Sequence, residues 1–358
     1  MQLGTYSIDQ RLAKGGMGEV WLGTHVVHSS AVAIKVMTDF TALSPDFQAQ
    51  FRREVESTAR LHHPNIVTVF DFGLLPDGAT DLDLVKDSPF FVMEYVPGGS
   101  LTARRENFTW GELRHVLDDV LSALAHAHAR GVIHRDIKPD NVLMGSYSDG
   151  APRTVLTDFG IAYAIERNTT TYGSDITARS NEDMSGTPLY MAPEQFRGEF
   201  RDYGPGTDLY AIGVVAWEFA TGMPPFTGVN PYNLGRMHMT QVLPEFKPRF
   251  LLPDGFEKWV RRLLEKSQID RYRTSADARW ALLALEDPEE CRTTSELNAF
   301  PSEAELEDMP TMFMPVVLPE GSTEAPPPPR DWRDVDLRST SGNMEAGLGL
   351  FGLRTIPF

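Results

Sequence analysis

The sequence of 358 residues predicts an α+β fold in two lobes, in which a small antiparallel sheet with one main helix precedes a mostly helical lobe. Apolar and polar residues alternate from Tyr6 to about Val36, which is the period of strands. Helical spacing begins at Pro45, and it dominates again after the turn Pro97-Gly98-Gly99. Beyond about Asp287 the chain becomes acidic and proline-rich, which predicts a disordered tail. The predicted units are residues 1–96, 97–286 and 287–358.

The first lobe is predicted to hold strand hairpins, then one helix, then two more strands. Apolar residues in the helical segment fall near one face, and Pro64 ends the run because proline does not continue a helix. The acidic segment 76–87 predicts an exposed hairpin between the last two strands. The main strands and the helix are predicted at Val32 to Val36, Pro45 to Leu61, Ile66 to Phe72 and Phe90 to Tyr95.

The second lobe is predicted to be helical because its apolar residues recur with helical spacing. Leu209 to Ala220 is the most apolar run, yet it has about half of the ~20 residues that span a bilayer, so we expect a buried helix. The predicted helices are Trp110 to Arg130, Tyr210 to Thr221 and Gly255 to Lys266. Core positions on helices are predicted for Trp217, Trp259 and Trp280.

Composition and charge exclude several classes of protein. With 33 basic and 50 acidic residues the net charge is −17, which argues against a nucleic-acid binder because phosphate backbones require clustered cations. The single cysteine, Cys291, rules out an intramolecular disulfide and indicates a reducing compartment. Met1 to Gln10 lacks a cationic start and a long apolar run, so it is not predicted to be a signal peptide. We therefore expect a cytoplasmic protein without direct membrane insertion.

A glycine-rich turn, Gly15-Gly16-Met17-Gly18, is the first candidate for a binding site. A backbone without side chains can approach phosphate oxygens closely, although many plain turns have the same composition. A dinucleotide-binding loop would continue as a helix, whereas Val20 to Val27 continues as a strand. The sequence contains no Gly-Lys-Ser/Thr, which excludes a Walker-type loop.

Charged residues in three further segments suggest catalysis. Lys35 ends an apolar strand, and Glu54 on the following helix could hold its ammonium, although a lone strand lysine is usually solvated. The loop His134 to Asn141 packs two acids, two cations and an amide around a proline. Asp158 follows another strand, and with Asn141 it offers the oxygen ligands that Mg²⁺ prefers. Each residue alone is more often structural, but their joint order and spacing favour a site.

These segments resemble the eukaryotic-type serine/threonine protein kinases, and most closely their bacterial members. The resemblance extends from Tyr6 to about Leu285. It implies an enzyme that transfers the γ-phosphoryl group of ATP, with Mg²⁺ or alternatively Mn²⁺, to Ser/Thr hydroxyls of protein substrates and of its own activation segment, Asp158 to Glu194. It also implies a role in signal transduction. The motifs that carry it are Val32-Ala33-Ile34-Lys35, His134-Arg135-Asp136-Ile137-Lys138-Pro139-Asp140-Asn141, Asp158-Phe159-Gly160 and Ala192-Pro193-Glu194.

The resemblance implies a role for each matched residue. Asp136 resembles the residue that accepts the substrate's hydroxyl proton, and Lys138 the lysine that offsets charge at the γ-phosphate. Lys35 would hold the α- and β-phosphates with Glu54 as its ion-pair partner. The other implied roles are metal ligation by Asn141 and Asp158, bracing of the catalytic loop by Asp208, and a buried ion pair between Glu194 and Arg271.

The implied nucleotide pocket lies between the two lobes. Met93 would be the gatekeeper, and Glu94 and Val96 would offer hinge backbone hydrogen bonds. Ala13 stands where the family has its first loop glycine, and because a methyl group restricts φ, we expect somewhat weaker nucleotide affinity with retained activity. The residues implied to sandwich the adenine are Leu12, Val20, Ala33 and Leu143, and those of the phosphate loop are Leu12, Ala13, Lys14, Gly15, Gly16, Met17 and Gly18.

Regulation is implied by Arg135, which directly precedes Asp136. Family members with this arrangement often need a phosphorylated activation segment to balance the cation. Thr177 and Ser180 are the favoured phosphorylation sites, while Glu182 and Asp183 nearby would be an alternative source of negative charge.

Alternatives remain for the activity and for the tail. A pseudokinase would be expected to lack Lys35, Asp136 or Asp158, and a small-molecule kinase the peptide-docking segment 186–194; all of these are present. The tail would be a passive linker, an arm that docks a partner through Pro326 to Pro329, or a self-docking peptide that ends in Leu348 to Phe351. We favour a disordered tail with a docking role.

Overall fold

The fold is taken from a computed structural model of the chain. An antiparallel sheet of six strands forms the first lobe, in the order β1-β2-β3-β4-β6-β5. Its strands are β1 (Gln2–Leu3), β2 (Tyr6–Gly15), β3 (Gly18–His25), β4 (Ala31–Met37), β5 (Val69–Leu74) and β6 (Pro89–Glu94). The residues that the structure describes are 1–15, 18–38, 40–77, 82, 84–104, 108–159, 187–228 and 230–288.

One helix, α1 (Pro45–Ala59), covers a face of this sheet. The side chain of Ser44 caps its N-terminus by accepting a hydrogen bond from the backbone N–H of Phe47, and Pro45 supplies a helical φ at the first position. Phe47, Phe51 and Val55 recur with helical spacing and are buried against the sheet. This burial sets which face of α1, and therefore which charged residues, turn toward the space between the lobes.

The second lobe is helical around a separate apolar core. Thr109 and Glu112 form a capping box at the start of α2, in which each side chain accepts a bond from the other residue's N–H. The helix α4 is buried along nearly its whole length, which confirms the expectation from its apolar run. The helices are α2 (Trp110–His128), α3 (Pro193–Phe196), α4 (Pro205–Thr221), α5 (Pro231–Thr240), α6 (Phe256–Leu263) and α7 (Ser275–Leu283).

A two-stranded hairpin joins the lobes, formed by β7 (Val142–Ser146) and β8 (Pro152–Leu156). The predicted strand at Ile66 starts three residues later, at Val69, because Ile66 bridges to Leu156 of this hairpin instead of the main sheet. The Val67 N–H also donates to the Leu156 carbonyl at 3.0 Å. The loop before β7 and the turn after β8 are thereby held at the inner edge of both lobes.

The α+β, two-lobed class is confirmed, whereas one predicted core residue is wrong. Trp217 and Trp259 are each only 2 % exposed, but Trp280 on α7 is 75 % exposed. Helical spacing identifies a face, and the outward face of this last helix has no described element to pack against. The predicted tail beyond Pro288 lies outside the described residues. Among the residues that are described, no helix has both the length and the apolar character that a bilayer crossing requires.

Candidate active site

Strand β4 and the turn after β8 bring two opposite charges together. Lys35 pairs in register with Val20 on β3 and Phe91 on β6. Its Nζ lies 2.5 Å from Oδ2 of Asp158, and both side chains are largely withdrawn from solvent. Asp158 has φ of +65°, in the left-handed region that aspartate tolerates better than most residues. This backbone conformation accompanies the carboxylate's approach to Lys35.

The expected Lys35–Glu54 ion pair is wrong for this structure. Lys35 pairs with Asp158, and Glu54 Oε1 lies 3.7 Å from Nη1 of Arg135 instead. Burial raises the pKa of Glu54, although the nearby Arg135 opposes that shift. Sequence spacing could not decide this pairing, because Asp158 lies 123 residues from Lys35 along the chain.

The catalytic-loop candidates converge on Asp136. Lys138 Nζ donates to Asp136 Oδ2 at 2.9 Å, and Asn141 Nδ2 donates to the backbone oxygen and to Oδ2 of Asp136 at 2.7 and 3.1 Å. Burial lowers the pKa of Lys138, but Asp136, Asp158 and Asp140 together raise it above its usual value. Lys138 therefore stays a cation at neutral pH, and it lies beside Asp136, to which the family resemblance assigns proton transfer.

Asp208 holds this loop from beneath. Its carboxylate accepts hydrogen bonds from the backbone N–H groups of His134 and Arg135, both at 2.8 Å, and contacts His128 Nε2 at 2.7 Å. Burial alone raises the pKa of Asp208, but the contact with His128 and the N–H of Arg135 hold it below its ordinary range. The brace fixes Arg135 at φ of +70°, a strained value for a residue with a side chain.

Two residues of this loop support were missed by sequence reasoning. His128 Nδ1 contacts Ser275 Oγ at 3.0 Å while its Nε2 meets Asp208, so the histidine links α2, α4 and α7. In the sequence, His128 stands two positions after His126 on a helix, so the two side chains face different ways and their spacing predicts no shared role. Gln195 Nε2 donates to the carbonyl of Arg135 at 2.9 Å. No local pattern marks a glutamine that acts across 60 residues.

Asp158 and Asn141 fit the donor set of a hard divalent cation. Asp158 Oδ1 is buried and has no hydrogen-bond partner among the described residues. Asn141 uses its amide nitrogen on Asp136, which leaves the opposite end of the amide, an oxygen, as the ligand atom. No cluster of three His, Cys, Asp or Glu residues with metal-site geometry occurs in the described ranges. Two oxygen ligands suit Mg²⁺, which takes the rest from water and phosphate.

Most of the predicted adenine-contacting residues meet in one apolar cluster. Ala33 and Met93 are neighbours across β4 and β6, and Val96 follows them in the same cluster. Val20 and Leu143 pack against it while remaining partly exposed. Leu12 is half-buried at an irregularity of β2 and is not part of the cluster.

Glu94, the residue expected at the hinge, has both its backbone N–H and its side chain in use. Its N–H donates to the carbonyl of Thr68 at 2.9 Å. Its carboxylate forms an ion pair with Arg153 of β8. The pair ties the end of β6 to the hairpin of β7 and β8.

The glycine-rich turn is partly structural. A Cβ at Gly18 would lie 2.2 Å from the carbonyl oxygen of Val36, so close strand packing alone requires this glycine. A Cβ at Gly15 would meet nothing nearer than 3.9 Å. Gly16 and Met17 lie outside the described residues, and Lys14 Nζ contacts Glu19 Oε1 at 2.9 Å from a largely exposed position.

Ala13 does not carry the conformational strain that we expected. It lies in β2 opposite Val20, and it is not among the described non-glycine residues with positive φ. A methyl group is compatible with this extended backbone, so the reason given for weaker nucleotide affinity is wrong.

The predicted ion pair between Glu194 and Arg271 is present and buried. Arg271 Nη1 and Nη2 donate to the two carboxylate oxygens at 2.9 and 3.1 Å. Arg271 also donates to the carbonyls of Gly206 and Glu265, which satisfies the guanidinium in the interior. The pair anchors the start of α3. Thr177 and Ser180, with Glu182 and Asp183, lie outside the described residues.

Comparisons with known proteins agree with this geometry. The model of the protein kinase domain family matches residues 6–278. The chain is 33 % identical to the serine/threonine-protein kinase pkn3 of Myxococcus xanthus over 81 % of this chain and 51 % of the relative. It is 34 % identical to the serine/threonine-protein kinase PknB of Mycobacterium tuberculosis over 79 % of this chain and 43 % of the relative. The chain therefore spans about half, or less, of these curated relatives.

A solved structure agrees as well. The crystal structure of the Mycobacterium tuberculosis PknI kinase domain aligns with a TM-score of 0.56 and 27 % identity, covering 79 % of this chain and 97 % of that one. With the loop around Asp136 and the match over residues 6–278, the chain belongs to the protein kinase domain family and has bacterial serine/threonine-protein kinases among its relatives.

Proposed function

We propose that this protein is an ATP-dependent serine/threonine protein kinase. The observation that carries the proposal is the hydrogen-bonded set Asp136, Lys138 and Asn141. It combines a positioned carboxylate, a retained cation and a metal-ligand amide in one buried loop. Phosphoryl transfer needs little covalent chemistry from the protein, so such positioning and fixed charge supply most of the catalysis.

Each residue has a distinct task in the proposed reaction. Asp136 orients the substrate hydroxyl and accepts its proton as the oxygen bonds to the γ-phosphorus and the bond to the β,γ-bridging oxygen breaks. Lys138 offsets the charge on the transferred group. Asn141 and Asp158 would hold Mg²⁺, or Mn²⁺, which neutralises phosphate oxygens when bound. ADP leaves with the former bridging oxygen.

The pairing of Lys35 with Asp158 must change for this reaction. While Asp158 is occupied by Lys35, one of its oxygens is withheld from the metal. We propose that nucleotide binding draws Lys35 to the α- and β-phosphates and toward Glu54, and that Asp158 then turns to the metal. Glu54 is near Arg135 in the present arrangement, so the exchange involves both pairs.

Phosphorylation of the enzyme's own activation segment belongs to the same proposal. Arg135 lies near the carboxylate of Glu54 in this structure. A phosphate on Thr177 or Ser180 would replace Glu54 as the negative partner of Arg135, and Glu54 could then pair with Lys35. The proposal also includes a role in signal transduction, protein substrates that bear Ser or Thr, and a docking partner for the tail. A cytoplasmic location rests on the single cysteine, Cys291.

A labelled-phosphate transfer assay tests the proposal. The full chain is incubated with γ-labelled ATP and Mg²⁺, alone and with a generic protein substrate. We expect transfer that Asp136→Asn lowers by about 10³-fold or more, because the carboxylate that positions the hydroxyl is lost. The control Asp149→Asn changes an exposed turn aspartate and should leave the rate unchanged.

The alternatives give different results in the same assay. A pseudokinase would bind nucleotide without transfer to any acceptor. A small-molecule kinase would label neither itself nor the protein substrate. Equal rates for the unmodified chain and Asp136→Asn would also contradict the proposal.

A further inference from the structure

A cavity of about 550 Å³ lies between α6 and α7 of the second lobe, and its lining includes no residue of the loop around Asp136. Trp259 forms part of its wall and is buried, whereas Trp280 stands at its rim with 75 % of its surface exposed. Ala281 and Leu285 continue the apolar lining. A large exposed aromatic beside an apolar cavity is the composition of a protein contact site rather than of an ordinary surface.

The cavity is also cationic. Lys258, Arg262 and Arg273 line it, and the guanidinium of Arg262 lies 4.3 Å from the ring centre of Tyr272. The acid of the lining, Asp277, accepts a hydrogen bond from the Thr274 N–H as part of the cap of α7. An occupant that is apolar and negatively charged would therefore complement this cavity on both counts.

The chain itself leaves the described fold at this cavity. Leu285 is part of the lining, and Asp287 follows within about 7 Å of extended chain. Asp287 is tied to the lobe, because its carboxylate accepts bonds from Trp110 Nε1 at 2.8 Å and from Arg114 Nη1 at 3.0 Å. The residues that follow Pro288 start beside the cavity, which gives them a high local concentration there.

One tail segment has the matching chemistry. Residues 303–314, Glu-Ala-Glu-Leu-Glu-Asp-Met-Pro-Thr-Met-Phe-Met, contain four acids, no base and five large apolar side chains. The fourteen residues 289–302 form its tether, and a random coil of that length has a root-mean-square span of ~20 Å. The apolar end at Leu348 to Phe351 contains no acid, and its longer tether lowers the local concentration roughly ninefold. Both comparisons favour residues 303–314 over Leu348 to Phe351.

We propose that segment 303–314 docks in cis into the cavity between α6 and α7. Its methionines and Phe313 occupy the apolar wall beside Trp259 and Trp280, and its carboxylates face Lys258, Arg262 and Arg273. The contact joins the acidic tail to the catalytic lobe at a site separate from the cleft, so it does not depend on the proposed enzyme activity.

Disulfide trapping in the full chain tests this contact. In a Cys291→Ser background, Ala281→Cys at the cavity is combined with Met312→Cys, or with Gly349→Cys as the reference. We expect the 281–312 pair to form an intramolecular disulfide at least about tenfold faster than the 281–349 pair. Lys258→Glu should slow the 281–312 reaction severalfold, and the matched reversal Lys247→Glu, at an exposed lysine outside the cavity lining, should not.

Two results would overturn the proposal. Equal rates for the two cysteine pairs would show that segment 303–314 has no preference for the cavity. Covalent dimers in place of the intramolecular product would show that a second copy is the occupant.

The cysteine at position 281 could itself disturb α7, so hydrogen exchange is measured on a chain that keeps all native residues of the cavity lining. Leu306→Ser with Phe313→Ser should at least double the exchange rate of amides in 275–285 and leave α2 unchanged. Identical exchange in 275–285 would contradict docking whatever the trapping shows.

Discussion

Two residues at the site, Arg135 and Asp158, adopt left-handed φ values of +70° and +65°. Such conformations persist where the surroundings hold them, and Asp208 holds the first through the Arg135 N–H. The second accompanies the contact of Asp158 with Lys35. At the residue scale, two of the four described non-glycine residues with positive φ therefore lie where a carboxylate of the site is positioned, and the other two, Ser29 and Asp87, lie outside it.

Ala13 offers a direct test of how the glycine-rich turn contributes. Because Ala13 occupies ordinary extended backbone opposite Val20, we expect Ala13→Gly to leave the KM for ATP within about twofold. Steady-state kinetics at saturating protein substrate measures this constant. A KM that falls fivefold or more would restore the view that the methyl group hinders the loop.

Asp71 gives the first lobe a pH dependence. It is buried on β5, and burial raises its pKa from 3.8 to about 6 although its carboxylate accepts the Phe72 N–H. The native state then holds a proton that the unfolded state has released, so stability falls as pH rises from about 4 to about 6. Asp71→Asn keeps an acceptor and removes the charge. The unfolding free energy of this variant, relative to that of the unmodified chain, should be about 1 kcal/mol higher at pH 7.5 than at pH 5.

Urea denaturation at the two pH values measures that difference. The exposed change Asp149→Asn is the control, and its effect should not vary with pH. A gain from Asp71→Asn that is the same at pH 5 and pH 7.5 would mean that the carboxylate keeps its ordinary pKa in the fold.

At the scale of elements, a buried ion pair ties the first turn of α3 to the segment just before α7. Glu194 begins α3, and Arg271 lies just before α7, so the pair joins two elements far apart in sequence. Its geometry uses the planar fork of arginine, with two bonds to the carboxylate and others to backbone carbonyls. Lysine supplies the charge but not the fork.

We therefore expect Arg271→Lys to lower the unfolding free energy by about 3 kcal/mol, because Glu194 loses its bidentate partner in the interior. The matched control Arg201→Lys alters an exposed arginine and should cost less than about 0.5 kcal/mol. Chemical denaturation of the two variants gives both values. A loss below about 1 kcal/mol for Arg271→Lys would show that charge alone holds the pair.

At the scale of the whole molecule, local pattern predicted the elements better than their partners. The spacing of Phe47, Phe51 and Val55 was enough to predict α1 and its buried face. The strand β5 begins three residues after its predicted start, because Ile66 pairs with Leu156. Periodicity along the sequence carries no information about that contact. Trp280 was misassigned because helical spacing does not say which face of a last helix finds a neighbour.

The candidate site shows the same division. The motifs identified Asp136, Lys138 and Asn141, which lie within six residues and meet through local bonds. The observed partner of Lys35 is Asp158, which lies 123 residues away along the chain, whereas the expected partner was Glu54. His128 likewise meets Asp208 across 80 residues. Which of several distant charges pair with each other is the feature of the site that requires the three-dimensional structure.

The net charge of −17 is unevenly distributed along the molecule. Residues 287–358 hold 14 acids and 5 bases, so more than half of the excess negative charge belongs to the tail. In the proposed contact, acidic side chains of segment 303–314 would lie against three cations of the second lobe. The charge that argues against nucleic acid therefore says little about the cleft.

The identity of the phosphorylated amino acid tests the central claim most directly. After reaction of the full chain with γ-labelled ATP and Mg²⁺, acid hydrolysis and separation of the phosphoamino acids locate the label. We predict label in phosphoserine and phosphothreonine, dependent on the divalent cation and absent with Asp136→Asn. Label recovered only as inorganic phosphate, or only in phosphotyrosine, would contradict the account.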